Sequence, residues 1–217
     1  MSLELVIFDC DGVLVDSESI SNGILARLLT AAGLPTTPME ARSKYQGLRL
    51  AEVVLQAEAT LGRSLPEDFL EQFERERAVA FRRELRAVPG AAEAVRRVSA
   101  GGLAVCVASQ GKLSKTQLTL GLTGLRDLFP ANALFSAESV LRGKPEPDLF
   151  LHAARLMGAE PTRCVVVEDT CSGVTAAVSA GMRVLGYAAD GDEEALRRAG
   201  AESLNSLDEL PGLLALG

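Results

Sequence analysis

The sequence predicts an α/β fold: a doubly wound parallel sheet with a second, α-helical domain inserted after its first strand. Three observations carry that expectation. From residue 87 onward, short continuous apolar runs alternate with helical patterns, as in a parallel sheet covered on both faces. Residues 18–86 show helical patterns only, with no convincing strand between them. The first apolar run, Leu5-Val6-Ile7-Phe8, leads directly into Asp9-Cys10-Asp11-Gly12, a charged turn at a strand's end.

Taken in order, Leu5–Phe8 reads as the first buried strand. Ile20, Ile24, Leu25, Leu28 and Leu29 form a helical stripe that stops at Gly33-Leu34-Pro35. Ala51, Val54, Leu55 and Ala59 predict a second helix, ended by Gly62. Phe69, Phe73 and Phe81 predict a long, highly charged helix after Pro66. Its Arg75, Arg77, Arg82 and Arg83 alternate with glutamates, the pattern of a solvated face. The runs 103–108 and 164–167 read as buried strands, with shorter ones at 133–135 and 184–187. Helices are expected near 90–100, 113–121, 147–157, 172–180 and 192–199, several closed by glycine. Residues 1–16 with 87–217 are therefore the expected core, and residues 17–86 the insertion. Hinges are expected near Asp16-Ser17 and Ala87-Val88-Pro89-Gly90.

Composition narrows the function classes. Apolar residues make up 47% of 217, enough for a full core. A net charge of −7 gives no general attraction to nucleic acid or anionic lipid, so neither is an expected partner. No apolar run approaches the roughly 20 residues that span a bilayer. Met1-Ser2-Leu3-Glu4 lacks the basic and apolar segments of a signal peptide. Cys10, Cys106, Cys164 and Cys171 lack zinc-type spacing and read as reduced thiols, so a cytoplasmic location is expected. Cys171, after a candidate site loop, is the one expected to react.

In an extended chain Asp9 and Asp11 share one face while Cys10 turns away. Two carboxylates that close need a cation or a shared proton, which points to a metal site and a nucleophilic carboxylate. An isolated Asp-x-Asp-Gly reads more readily as a polar turn; the company it keeps changes the reading. Ser109, in Ala108-Ser109-Gln110-Gly111, follows the second strand. Lys144 stands in Gly143-Lys144-Pro145-Glu146-Pro147, where two prolines pin the backbone. Glu168 and Asp169 close the run Val165–Val167 and lead into Thr170-Cys171-Ser172-Gly173. In a doubly wound sheet such strand ends meet at one crevice.

These four segments resemble the motifs of haloacid dehalogenase superfamily phosphohydrolases that carry a helical cap between the first two motifs. Within that superfamily the chain is similar to β-phosphoglucomutase-like proteins and to bacterial sugar-phosphate phosphatases, 6-phosphogluconate phosphatases among them. Asp9–Glu18 matches the first motif, Ser109 the second, Lys144 the third, and Val167-Glu168-Asp169-Thr170 with Gly173-Val174 the fourth. The resemblance implies that Asp9 attacks phosphorus to give an aspartyl-phosphate and that Asp11 serves as proton donor and then acceptor. Ser109 would hold phosphoryl oxygens, and Lys144 would balance the charge. It implies Mg²⁺ on the Asp9 carboxylate, the Asp11 carbonyl and Asp169, with Glu168 either a direct ligand or an orienting residue. Gln110 stands where relatives often have asparagine, and is expected near the phosphate. In the cap, Gly47 and Arg49 of Gln46-Gly47-Leu48-Arg49 are the expected substrate contacts, with the plain alternative that Arg49 is surface charge.

The expected activity is therefore Mg²⁺-dependent hydrolysis of small phosphorylated metabolites, sugar or sugar-acid phosphates, by a monomer. A phosphosugar mutase is the alternative. The mutase has a histidine shortly after the first motif, whereas this chain has Ser21 there and His152 alone, in a later helix. A phospho-aspartate receiver switch is a third reading, opposed by the long insertion and by the Asp9/Asp11 pair.

Overall fold

Strand β1 (Leu5–Phe8) carries four apolar side chains in a row, a pattern that only a strand covered on both faces can bury. The computed structural model, which describes residues 2–188 and 193–216, places it at the centre of a parallel sheet with all four side chains buried. The chain continues through α1 (Glu18–Ala31), α2 (Pro38–Tyr45), α3 (Leu50–Leu61), α4 (Phe69–Glu84) and α5 (Ala91–Ala100). Strand and helix then alternate: β2 (Ala104–Ser109), α6 (Leu113–Leu122), β3 (Leu134–Ser136), α7 (Asp148–Met157), β4 (Cys164–Glu168) and α8 (Cys171–Ser179). Last come β5 (Arg183–Tyr187), α9 (Glu193–Ala199), β6 (Glu202–Leu204) and α10 (Leu210–Leu213).

The sheet order is β3-β2-β1-β4-β5-β6, all parallel, so the chain winds outward from β1 first one way and then the other. Phe8 lies opposite both Val107 and Val167. That register brings the carboxyl ends of β1, β2 and β4 to one edge, at the point where the winding reverses. On one face Ile7, Val166 and Cys106 pack with Leu149, Phe150, Ala153 and Ala154 of α7, whose buried residues recur on a single helical stripe.

The chain divides into two compact units, residues 1–15 with 87–217 and residues 16–86. The second has its own apolar core, built from Leu25, Leu28 and Leu29 of α1, Tyr45 of α2, Val53 and Ala57 of α3, and Phe69 and Phe73 of α4. Four elements differ from the sequence reading. The buried row of α3 is Val53 and Ala57, while Leu55 is exposed; three consecutive apolar residues, Val53-Val54-Leu55, leave the helical phase ambiguous. α2 was not anticipated, although Thr37-Pro38-Met39-Glu40 forms a capping box with proline at the first turn. β6 and α10 were also missed: Glu202-Ser203-Leu204 is a short, half-polar edge strand with little periodicity to read. The helix expected over 192–199 is described at Glu193–Ala199, residue 192 lying outside the described residues.

Among the described residues no helix is long and apolar enough to cross a membrane. All four cysteines are free; Cys10, Cys106 and Cys164 are buried and Cys171 is exposed. Burial pushes the Cys10 thiol up to about 12 and Cys164 up to about 11. Iodoacetamide on the native protein at pH 8 should accordingly modify Cys171 alone, as peptide mass mapping would read. Ile7→Ala should cost about 2–5 kcal/mol, seen as a lower urea midpoint with unchanged slope.

Candidate active site

Strand β1 stops at Phe8, and Asp9 extends its ladder by one bond, its N–H donating to Val167 O at 2.9 Å. The chain then turns sharply. Leu14 and Val15 N–H both donate to Cys10 O at 3.0 Å, and Gly12 N–H donates to Val15 O at 2.9 Å. A loop, rather than strand alternation, therefore sets where Asp11 stands relative to Asp9. Cys10 points into the core, its Sγ 3.7 Å from Thr119 Oγ1. Gly12 has φ of 81°, and a Cβ there would overlap the Asp169 carboxylate. The missing side chain is what lets Asp169 lie against the Asp9–Asp11 loop.

Lys144 is buried, and its ammonium donates to Asp9 Oδ1 at 2.5 Å, Glu168 Oε1 at 2.6 Å and Ala108 O at 3.1 Å. One cation thus ties the ends of β1, β4 and β2. Burial pulls the Lys144 pKa down, but the two carboxylates outweigh it and hold it above the ordinary lysine value. Burial pushes Asp9 up to about 7; Lys144 opposes the rise, and Glu168 and Asp11 add to it. Glu168 Oε2 also accepts from Thr170 N–H at 2.8 Å and Thr170 Oγ1 at 2.9 Å, so both of its oxygens are engaged by protein donors. Gly173 makes room for it: a Cβ there would overlap the Glu168 carboxylate.

Ser109, buried at the end of β2, accepts from Gly111 N–H at 3.1 Å, and Ser136 Oγ holds Gly111 O at 2.7 Å. Gln110, expected near the phosphate, engages the Lys144 backbone. Its Oε1 accepts from Lys144 N–H at 3.1 Å and its Nε2 donates to Lys144 O at 3.3 Å. The amide keeps the lysine loop in register with β2. Asp11 forms an ion pair with Lys115 of α6, a residue the sequence reading passed over. A signal for it existed: lysine in the first turn of a helix opposes the helix dipole and calls for a nearby carboxylate.

Gly47 and Arg49 belong to the other unit. Gly47 has φ of 80°, and Gln46 Nε2 donates to Glu18 Oε1 at 2.8 Å, fixing the start of this turn. Arg49 N–H donates to Glu52 Oε2 at 2.8 Å at the start of α3, while its Nη2 is buried without a hydrogen bond. His152, on α7, stacks edge-on against Phe135.

Whether the core cluster suits Mg²⁺ can be read from its donors. Asp9, Asp11, Glu168 and Asp169 face two ammonium groups, Lys144 and Lys115, which leaves two negative charges, the charge of one divalent cation. Among the described residues no three acidic, histidine or cysteine side chains form a ready cage. A magnesium ion that keeps several waters needs only one or two carboxylates, and hard oxygen donors are what it takes. The residues fit.

A family model of haloacid dehalogenase-like hydrolases matches residues 3–181. The chain belongs to that family. It is 32% identical over 215 residues to the 6-phosphogluconate phosphatase of Escherichia coli strain K12, covering 97% of this chain and 94% of that one. Hexitol phosphatase B of the same organism is 33% identical over 180 residues, covering 82% of this chain and 80% of its own length. A solved haloacid dehalogenase family hydrolase from Deinococcus radiodurans, with bound phosphate and sodium, superposes with a TM-score of 0.80 at 33% identity. It covers 98% of this chain and 95% of the other. The chain is a phosphoric monoester hydrolase.

The two glycine gaps predict opposite outcomes for similar substitutions. Gly12→Ala should destabilise by at least ~1 kcal/mol through its positive φ and should also cut activity by displacing Asp169. Gly23→Ala, in the open interior of α1, should stabilise by up to ~1 kcal/mol. Thermal unfolding together with phosphate release separates the two.

Proposed function

We propose that this chain hydrolyses phosphate esters of sugars or sugar acids with Mg²⁺ bound, through an aspartyl-phosphate on Asp9. The observation that carries the reading is the buried Asp9 carboxylate held at a strand end by Lys144, with Asp11, Ser109 and Asp169 around it. Asp9 attacks phosphorus as the bond to the sugar oxygen breaks, and Asp11 gives that oxygen its proton. Asp11 then takes a proton from the water that attacks the phosphorus, which frees inorganic phosphate and restores Asp9. Ser109 and the Gly111 region hold phosphoryl oxygens, and Lys144 favours the ionised form of Asp9 beside a dianion. When bound, Mg²⁺ would lie on the Asp9 and Asp169 carboxylates and the Asp11 carbonyl and offset the charge of the phosphate. Glu168, with both oxygens engaged, positions Lys144 and the start of α8.

The helical unit is the cap in this reading, and Gly47 and Arg49 are its proposed substrate contacts. The buried, unbonded Nη2 of Arg49 supports a role in holding a substrate oxygen. The relatives named for 6-phosphogluconate and hexitol phosphates support sugar-type leaving groups.

The decisive experiment is phosphate release from 6-phosphogluconate, hexitol, hexose and pentose phosphates, nucleotides and β-glucose 1-phosphate, with product isomers followed. Asp9→Asn should lower turnover by on the order of 10⁴-fold or more while the protein stays folded. Full activity in that variant would sink the assignment, and isomer exchange without phosphate would mean a mutase. Chelation should abolish turnover and added MgCl₂ restore it. Arg49→Ala should lower kcat/KM for the best sugar phosphate by tenfold or more and leave para-nitrophenyl phosphate within about threefold; equal losses would remove Arg49 from substrate selection.

A further inference from the structure

We propose that Lys115 is a positioning residue for Asp11, holding one carboxylate oxygen so that the other is aimed at the oxygen leaving the phosphate. The inference rests on the reading above, in which Asp11 moves the proton. Lys115 comes from α6, far along the chain from the β1 loop, and its ammonium pairs with Asp11 Oδ1. Its side chain is only 10% exposed, so the pair is more strongly felt than one in open water. Its place in the first turn of α6 opposes the helix dipole, so this lysine is tolerated there through its partner.

The direction of the other oxygen comes from Gly111. A side chain on Gly111 would lie 3.4 Å from Ser109 Oγ, 3.4 Å from Lys115 Cδ and 4.0 Å from Asp11 Oδ2. Asp11 Oδ2 and the Ser109 hydroxyl therefore both lie within 4 Å of one point beside Gly111, on the side where the phosphoryl group is read to sit. A carboxylate turning about its last torsion has a broad, roughly two-fold preference and presents either oxygen. Binding Oδ1 to an ammonium removes that freedom and keeps the proton on the side of the leaving oxygen. The two lysines thus divide their work: Lys144 holds the nucleophile and Lys115 holds the proton carrier. A misplacement of about 1 Å at such a group costs on the order of 10²-fold.

The test compares kcat/KM, which covers the steps through leaving-group departure, for two substrates. One is the sugar phosphate turned over fastest in the panel above, whose alkoxide must be protonated. The other is para-nitrophenyl phosphate, whose leaving oxygen needs no proton. Lys115→Met keeps the stem and removes the charge. Its loss on the sugar phosphate should exceed its loss on the aryl ester by on the order of 10²-fold, with Lys115→Arg restoring most of the difference. If Lys115→Met does not fold, Lys115→Gln carries the same comparison. Asp11→Asn, measured alongside, should show the same preference for the aryl ester. Equal losses on both substrates in the lysine variant, with the preference intact in Asp11→Asn, would overturn the role of Lys115 and leave the function standing. No preference in Asp11→Asn would instead overturn Asp11 as proton carrier, and this proposal with it.

Discussion

A lysine ammonium buried between two carboxylates is the interaction on which the rest of the site depends. Removing charges of either sign from water costs several kcal/mol each, and only close, well-aligned partners offset that cost. Lys144 meets the requirement with Asp9 at 2.5 Å, Glu168 at 2.6 Å and the Ala108 carbonyl at 3.1 Å. One ammonium against two buried carboxylates still leaves a negative surplus, which with burial raises Asp9 to about 7. The site is thereby built to be completed by more positive charge. That is why the residues of this buried charged cluster also suit a divalent cation.

The cluster depends in turn on sheet topology. Winding outward from β1 in both directions puts the ends of β1, β2 and β4 side by side, with Phe8 level with Val107 and Val167. Each strand then delivers one polar group to the same edge, and the loop before α7 brings Lys144 to all three. Gln110 locks that loop to β2 through both atoms of its amide, so the second and third motifs support one another mechanically. Gly12 and Gly173 complete the arrangement by leaving room for the Asp169 and Glu168 carboxylates.

The helical unit follows a different logic. Its apolar core is its own, and Arg49 Nη2 at the start of α3 is buried without a hydrogen bond. In the proposed reading the chemistry common to phosphate esters resides in the α/β unit and the choice among leaving groups in the helical one. An insertion can change while the sheet and its charge cluster stay as they are.

Much of this was legible in the chain. Continuous apolar runs mark β1, β2 and β4 because a strand buried on both faces has no polar alternation, and polar residues at their ends mark the edge where ligands bind. The phase of α3 was not legible, since Val53-Val54-Leu55 offers apolar residues on neighbouring faces and only packing chooses among them. Nor was β6, whose pairing with β5 exists only once the sheet is there. Within the site, the sequence by itself determined which residue types stand at the strand ends: Asp9, Asp11, Ser109, Lys144, Glu168 and Asp169. Tertiary structure alone decided which charge meets which: Lys144 with Asp9 and Glu168, Gln110 with the lysine backbone, Lys115 with Asp11. Those partners lie far apart in the chain, and an ion pair depends on separation in space, which local pattern does not encode.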